Sequence, residues 1–451
     1  MIESQIISRL IALKPQNRKL YLVGGAVRDI LLQKPGKDFD LVCDFDTRKI
    51  ARAFADAQHG GFYVLDPERN TSRVILTTGN TRIFYDFARL QGADIAQDLK
   101  LRDFTINAMA IDLEEPGHII DPLGGAADLK DRVLRACSDH SFSDDPVRVI
   151  RGVRYAVSLS LTMTPATLRA LKEAVSLIHT ISLERNRDEF LKVLDTGKPE
   201  IGLQLLERLG ILEHLEIASG PGLAQAAQSC RALELLFSEL EGIGSKEVRQ
   251  GLQLSAFLLR LGRFKDLILK HIHTPNSSGR TWRTLDLLAA VLNQFPRDVF
   301  EKSVEKLALS NEEKARFAAI YDNRNLLSTW TGIPDGRQIY RFFKKAPVDS
   351  CLLWLADLMS RPIAESSQKA WLDALAICER LIESWAEHSN VLAPKPLLNG
   401  NDLKLQFDLP PGKRMGQLLE ELLEEQAAGT VTTREQALEW VENHIPPQML
   451  Q

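Results

Sequence analysis

Up to about residue 135, short apolar runs alternate with polar positions at the two-residue period of β-strands. This pattern predicts strands over Tyr21–Val23, Asp38–Val42, Phe62–Leu65, Arg73–Thr77, Arg82–Ala88 and Ala108–Asp112. Helical spacing predicts helices over roughly the first fifteen residues, over Ala26–Leu32 and over Thr47–Gln58. After Ser143 the texture changes: Leu, Ala, Glu and Arg recur at helical spacing and strand signals almost vanish. Asp145-Pro146 and Thr164-Pro165 each place a capping residue before a proline at the first helical position. Ser182 precedes another helix start, and Pro199 opens a helix over Glu200–Leu209 that stops at Gly210. Further helices are predicted over Leu233–Leu240, Val248–Leu261, Thr281–Leu292, Asp298–Leu307, Ser350–Leu358 and from about Glu365 to Glu387. Pro394 and Pro396 mark a linker. Beyond it Gly412–Gln426 reads as a helix ended by Gly429, and Thr432 with Glu435 as the capping box of a last helix. The expected fold class is an α/β head followed by an all-α remainder.

Composition narrows the function classes. A chain of 451 residues is long enough for about three or four domains. With 44% hydrophobic and 26% charged residues it falls among globular proteins. A net charge of −4 means that nucleic-acid contacts must come from local patches rather than bulk charge. The five cysteines are scattered without a C-x-x-C pair, so neither a zinc site nor a disulfide framework is indicated. That usage fits a reducing, cytoplasmic compartment. Met1–Gln5 carries an acid and no basic stretch, so no signal peptide is expected, and no apolar run reaches membrane-spanning length. No membrane partner is therefore expected, and nothing in the composition sets an oligomeric state.

The chemistry concentrates between residues 20 and 42. Leu20–Val23 runs into Gly24-Gly25, a strand ending in backbone that can approach a phosphate closely. Arg28 follows on the first turn of the next helix, free to meet a triphosphate. Asp38 and Asp40 stand two residues apart on a strand and so share a face, about 7 Å apart along it. Such a pair suits magnesium, a hard cation that shares its shell with substrate phosphates. Acidic pairs also occur on solvated strand edges, and Gly-Gly before a helix is often only a turn. Taken in this order, the features point to metal-assisted nucleotidyl transfer.

Two more clusters extend this site. Asp86, in Arg82–Arg89, has two readings: a third carboxylate that polarises the attacking hydroxyl or supports the metals, or a solvent-facing residue of an alternating strand. In Asp98–Ala108, Arg102 suits a phosphate, and Asp103 and Asn107 suit ribose hydroxyls; a capped turn with a surface ion pair fits the same residues. In Ser143–Arg154, Arg148, Arg151 and Arg154 form a helical stripe with no acid among them, opposite an apolar face of Val147, Ile150, Val153 and Val157. Such a stripe is costly unless an anion faces it. Asp145 and Arg148 together could read a base. Asp accepts from the exocyclic amine of C or A, Arg donates to the ring nitrogen, and the carbonyls of U and G are rejected. The alternative for Asp145 is a plain N-cap.

Six ordered motifs resemble those of the class II tRNA nucleotidyltransferase and bacterial poly(A) polymerase family. They are Gly24–Asp29, Asp38-Phe39-Asp40, Arg102–Ala108, Asp121–Gly125, Asp145–Arg148 and Glu184–Glu189. The resemblance is strong over residues 20–215. It implies a nucleotidyltransferase head over 1–137, a helical neck over 138–200, a body over 201–392 and a tail over 393–451. It implies that Asp38 and Asp40 hold magnesium, that Gly25, Arg28 and Arg102 contact the incoming CTP or ATP, and that Asp145, Arg148, Arg151 and Arg154 form the neck nucleotide pocket. The implied reaction is attack of the tRNA 3′ hydroxyl on the nucleotide α-phosphate. A tail beginning Pro396–Leu403, without a strongly basic extension, resembles tRNA-acting members rather than poly(A) polymerases.

The chain departs from the family pattern twice. Members that build the whole CCA end usually carry a flexible loop before the Arg102 motif; here only Leu90–Gln97 separates Arg89 from Asp98, as in CC-adding members. CC addition alone is the first expectation, with complete CCA addition close beside it. In the body, Leu259 and Arg260 replace the His-Asp of a metal-phosphohydrolase motif, so that activity is not expected. His271 and His273, separated by one residue, suit a strand or loop more than a helical metal pair and read as a solvated pair. Arg260, Arg263, Lys265 and Lys270 read either as a tRNA-backbone contact or as a solvated face.

Overall fold

The computed structural model describes residues 4–34, 36–79, 81–243, 251–362 and 367–445. Contacts divide the chain into two compact units, Met1–Glu189 with Arg208–Leu215, and Phe190–Glu207 with Glu216–Gln451. The expected head and most of the expected neck fall in the first unit, and the rest of the chain, apart from Arg208–Leu215, in the second.

The first unit opens with helix α1 (Ser4–Leu13), strand β1 (Leu20–Val23), α2 (Gly25–Leu31), β2 (Asp38–Cys43), α3 (Thr47–Gln58), and β3 (Gly61–Asp66), β4 (Thr71–Thr78) and β5 (Thr81–Arg89). After them come α4 (Ile95–Lys100), β6 (Ala110–Asp112), β7 (Ile119–Ile120) and α5 (Gly125–Lys130). The strands form one mixed sheet in the order β3-β4-β5-β2-β1-β6-β7, in which only β2 and β5 run parallel. Alternation decides what each face does. Phe39, Leu41 and Cys43 of β2 and Tyr85 and Phe87 of β5 pack with Leu10 of α1 and Ile50 and Phe54 of α3. On the opposite face Val42 packs with Ile95 and Leu99 of α4, which leaves Asp38 and Asp40 at the uncovered end of that face. All six predicted strands form. The two-residue β7 and the six-residue α4 and α5 are too short for a periodic pattern to announce them.

The first unit continues with β8 (Val133–Leu134), α6 (Ser141–Asp144), α7 (Arg148–Ser158), β9 (Thr162–Met163), α8 (Pro165–Ala174) and the start of α9 (Leu183–Leu194). Thr164 caps α8 as predicted, its hydroxyl accepting from the Thr167 N–H. Asp145 does not cap α7. It has extended backbone, α7 begins three residues later, and no helix N–H reaches its carboxylate. Gly152 lets α7 approach the head closely: a Cβ there would lie 3.2 Å from the Phe104 ring and 3.0 Å from Leu171. A mid-helix glycine costs about 1 kcal/mol against alanine, and here it admits that packing.

The regular elements of the second unit are helices, joined by loops and one isolated bridge between Pro275 and Thr281. The predicted helices form with shifted ends: Leu223–Glu241 is far longer than Leu233–Leu240, and Leu252–Leu261 and Gln368–Glu387 have predicted starts outside the described residues. The last capping box is built by Thr433 and Gln436 rather than Thr432 and Glu435. His271 and His273 lie on a helix, Lys265–His273, not on a strand or loop. His271 is not solvated: it stands 2.7 Å from the buried Asp349 carboxylate and edge-on to Trp385. Burial, with Arg316 nearby, pushes it down to about 4. Arg260 and Arg263 pair with Glu379 and Glu383, which removes them as unpaired phosphate contacts. Helix Gly336–Lys345 runs along Lys413–Ala428 through Arg337–Glu425, Arg341–Glu424 and Lys344–Glu420. Half-exposed pairs of this kind contribute little individually. The closest approach is at Gly336, where a Cβ would lie 2.2 Å from the Ala427 carbonyl oxygen, against rigid backbone. Gly336→Ala is therefore expected to destabilise the protein by about 1–3 kcal/mol. Thermal unfolding measures this, and a midpoint unchanged from wild type would refute the close packing.

Candidate active site

Parallel pairing of β2 and β5 sets Asp40 opposite Asp86 and Asp38 opposite Phe84, so all three carboxylates project from one face of the sheet. Asp86 is not simply solvent-facing: Arg73 binds it with two hydrogen bonds of 2.7 Å. Asp38 and Asp40 are exposed at the sheet's open end. Asp40 is nevertheless closely surrounded by protein. Desolvation raises its carboxyl above the usual range, Arg102 opposes the rise, and the charges of Asp86 and Asp38 add to it. Gly24 ends β1 beside this group with φ +73°, a conformation that favours glycine. A Cβ there would lie 3.1 Å from Arg102 Nη1 and 3.4 Å from Asp40 Oδ2, filling the space between a cation and a carboxylate. Among the described residues no three His, Cys, Asp or Glu side chains close into a metal cage. Two exposed carboxylates on one face, under mutual repulsion and beside a glycine cradle, fit a divalent cation that takes the rest of its shell from water and phosphate.

The other predicted residues join in one buried network. Asp103 is not available to a ribose. Its Oδ1 accepts from the Phe104 N–H and from Asn107, and its Oδ2 accepts from Arg151 at 2.7 and 2.9 Å. Burial alone would raise its carboxyl, but the Arg151 charge and these hydrogen bonds hold it below the ordinary value. Asn107 Oδ1 accepts from Arg28 at 2.7 Å, and Asp29 accepts twice more from the same guanidinium. Arg28 is thus partnered rather than free. Arg102 gives Nε and Nη2 to Asp98, and its Nη1 faces Gly24. The arginine stripe of α7 does have acids facing it, supplied by distant segments. Arg151 pairs with Asp103 and Glu189, and Arg154 pairs with Glu189 and lies 4.3 Å over the Tyr155 ring. Glu189 belongs to α9, so one-dimensional spacing along α7 could not find it.

Asp145 and Arg148 stand at the start of α7 in separate surroundings. Arg148 donates to the Leu101, Arg102 and Ser141 carbonyls and to the Ser141 hydroxyl at 2.9–3.3 Å. Asp145 Oδ2 accepts from Arg185, while Oδ1 is buried with no hydrogen-bond partner. The motif Asp121–Gly125 has a mechanical role that its residues did not announce. Asp121 accepts from the Gly125 and Ala126 N–H groups, and a Cβ on Gly125 would lie 2.0 Å from the Thr105 carbonyl oxygen. It seats α5 directly against the turn that carries Asp103 and Asn107.

Three family models match the chain: the poly A polymerase head domain over residues 20–135, the RNA and SrmB-binding site of polymerase A over 160–224, and tRNA nucleotidyltransferase domain 2 over 288–441. A CC-adding tRNA nucleotidyltransferase of Geobacter sulfurreducens is 30% identical, over 92% of this chain and 90% of its own. The chain belongs to the tRNA nucleotidyltransferase family. An A-adding tRNA nucleotidyltransferase of Deinococcus radiodurans is also 30% identical, over 93% of this chain and 94% of its own. The fold matches that of a CCA-adding enzyme in its apo form, with a TM-score of 0.66 at 21% identity over 99% of this chain and 95% of the other. These tRNA nucleotidyltransferases are named for different products, so membership fixes the reaction class and leaves the number of additions to the chain's own features.

Two predictions follow from the electrostatics. A carboxyl raised above its unfolded value costs stability once ionised, so the Asp40 contribution is favourable at low pH and lost as pH rises through the raised value. Asp40→Asn should therefore raise the unfolding midpoint at pH 7 while abolishing nucleotide addition; a lowered midpoint would refute the repulsion. Asp103 has the opposite sign. Its stabilisation is present above the unfolded value of about 4 and is lost as pH falls through the lower folded one. Asp103→Asn should cost about 1–3 kcal/mol at pH 7, because it removes one of the two acids facing Arg151 and leaves Glu189 as its remaining partner. In denaturant titrations that difference should shrink below about pH 4; a difference independent of pH would refute the assignment.

Proposed function

We propose that this tRNA nucleotidyltransferase adds two C residues to the tRNA 3′ end from CTP, acting in the cytoplasm with magnesium held by Asp38 and Asp40. The observation that carries the chemistry is the pair Asp38/Asp40 on one face beside the Gly24 cradle and Arg102. Magnesium bound there would supply positive charge to the in-line displacement. Arg102 Nη1, beside Gly24, is placed to meet the triphosphate, and Gly25 offers backbone at the start of α2. Arg28 serves from a fixed position, held by Asn107 and Asp29. Asp86, paired with Arg73, adds negative charge next to Asp40 rather than a free ligand. Asp145 and Arg148 select the base, and Arg151 and Arg154 brace that helix. The tRNA 3′ hydroxyl attacks the α-phosphate and pyrophosphate leaves.

Restriction to CC rests on the connection from β5 to α4. It is five residues, Leu90–Asp94, and pinned along its length. Gln91 N–H donates to Asp98, Ala93 N–H donates to the Gln97 side chain, and Asp94 caps α4 by accepting from the Gln97 N–H. Asp98 also holds Arg102, so the connection and the phosphate-side arginine share one anchor. A segment held this way offers no slack for re-shaping the pocket from C to A. Complete CCA addition is the second reading, favoured by Asp145 and Arg148, whose donor and acceptor pattern fits ATP as well as CTP.

The test is a tRNA transcript ending at the discriminator base, incubated with protein, magnesium and CTP, ATP or both, and resolved at single-nucleotide length. Two additions with CTP and none thereafter with ATP are expected. A third addition would establish CCA synthesis, and a long ladder from ATP alone would make the chain a poly(A) polymerase. Asp40→Ala should abolish addition and keep tRNA binding; retained addition would remove Asp40 from the chemistry.

A further inference from the structure

We infer that the helical second unit holds a ligand site of its own: a cavity for a nucleoside monophosphate, with the base against Trp354 and the phosphate on Arg324. The cavity measures about 400 Å³ and is lined by residues of four helices and the turns after them, Leu223–Glu241, Trp282–Leu292, Asn311–Asp322 and Asp349–Ser360. All of the lining belongs to the second unit, whereas the carboxylates of the candidate active site belong to the first. The volume falls in the range of small-molecule sites. A void left by imperfect packing would be small and apolar. Here the buried Phe295 and Leu353 share the lining with asparagines and arginines.

The groups in the lining select the ligand. Trp354 is part-exposed while its Nε1 is shut off from solvent, so what it offers is ring carbon, a surface for a flat heteroaromatic ring. The side-chain amides of Asn293 and Asn325 make no hydrogen bond among the described residues. A free amide presents a donor and an acceptor side by side, the pattern that pairs with an adenine edge. Arg324 supplies the charge. Its guanidinium lies 3.8 Å over the Tyr321 ring and its Nη1 donates to the Tyr321 carbonyl at 2.7 Å, so its direction is set. Among the described residues it pairs with no carboxylate. Asp357, the acid of the lining, is already matched by Arg361 and accepts from Gln294. A fixed, unneutralised guanidinium fits a phosphate. Ring surface, free amide and guanidinium in one cavity therefore match a base joined to a phosphate. A free nucleotide and a nucleotide within RNA carry that chemistry equally.

Equilibrium dialysis of AMP against the whole protein tests this, for wild type, Arg324→Ala, Asn325→Ala and Arg102→Ala, with adenosine as the phosphate-free control. Wild type should bind AMP at a site that Arg102→Ala leaves unchanged. Loss of a charge-assisted contact should weaken AMP there about tenfold in Arg324→Ala, while adenosine binds as to wild type. Asn325→Ala should weaken both ligands about fivefold. Arg324 and Asn325 are exposed, so both variants should fold, which circular dichroism checks. No AMP binding at millimolar concentration overturns the inference. So does binding that is lost in Arg102→Ala and kept in Arg324→Ala, which would put AMP in the candidate active site. An equal loss of AMP and adenosine in Arg324→Ala overturns the placing of the phosphate. Repeating the titration with the tRNA transcript present separates the two sources: AMP displaced by the transcript makes the ligand a nucleotide of RNA, and AMP retained makes it a free nucleotide.

Discussion

The buried ion pair between Asp103 and Arg151 holds the site together. Asp103 lies on the turn between α4 and β6, and Arg151 lies on α7, so the pair ties that turn to the helix at whose start Asp145 and Arg148 stand. Every lone pair that Asp103 offers toward the interior is used, by Arg151, Asn107 and the Phe104 N–H. Through Asn107 the same carboxylate fixes Arg28, and through Arg151 it connects to Glu189 and Arg154. Buried charges of this kind are expensive singly and tolerable together, so the network forms or fails as a unit. Its outcome is geometric: the backbone of Leu101 and Arg102 is fixed tightly enough for their carbonyls to anchor Arg148.

Two aspartates of this unit, Asp103 and Asp40, meet opposite electrostatic conditions. Asp103 is surrounded by donors and held in its charged form, as suits a structural strut. Asp40 loses solvent and faces two further carboxylates, with Arg102 as partial relief. Uncompensated like charge at an open sheet end is a cost that a folded protein keeps where a ligand removes it. The contrast separates two kinds of acid: those whose charge is matched internally brace, and those whose charge is unmatched carry the proposed metal site.

Much of the fold was legible in the chain because its physics is local. Alternation of Phe39, Leu41 and Cys43 with Asp38, Asp40 and Val42 sets which face of β2 is apolar, wherever the strand sits in the sheet. The placing of Thr164 before Pro165 marks a cap for the same reason. Asp145 before Pro146 carries the same signal and does not cap, because α7 begins only at Arg148 and Arg185 takes the Asp145 carboxylate. His271 looked like half of a solvated pair, and packing beside the buried Asp349 and Trp385 leaves it largely shielded from solvent.

What the sequence by itself determined was the identity and order of the groups: a glycine pair, two carboxylates on one strand face, an arginine stripe and the alternation that folds a sheet around them. These follow from backbone periodicity, which acts over a few residues. What only the tertiary structure decided was which charges are already spoken for. Arg151 and Arg154 find their acids 48 and 35 residues away, at Asp103 and Glu189, and Asp145 finds Arg185 40 residues on. Electrostatic partnership depends on distance in space and on burial, and neither is a function of spacing along the chain.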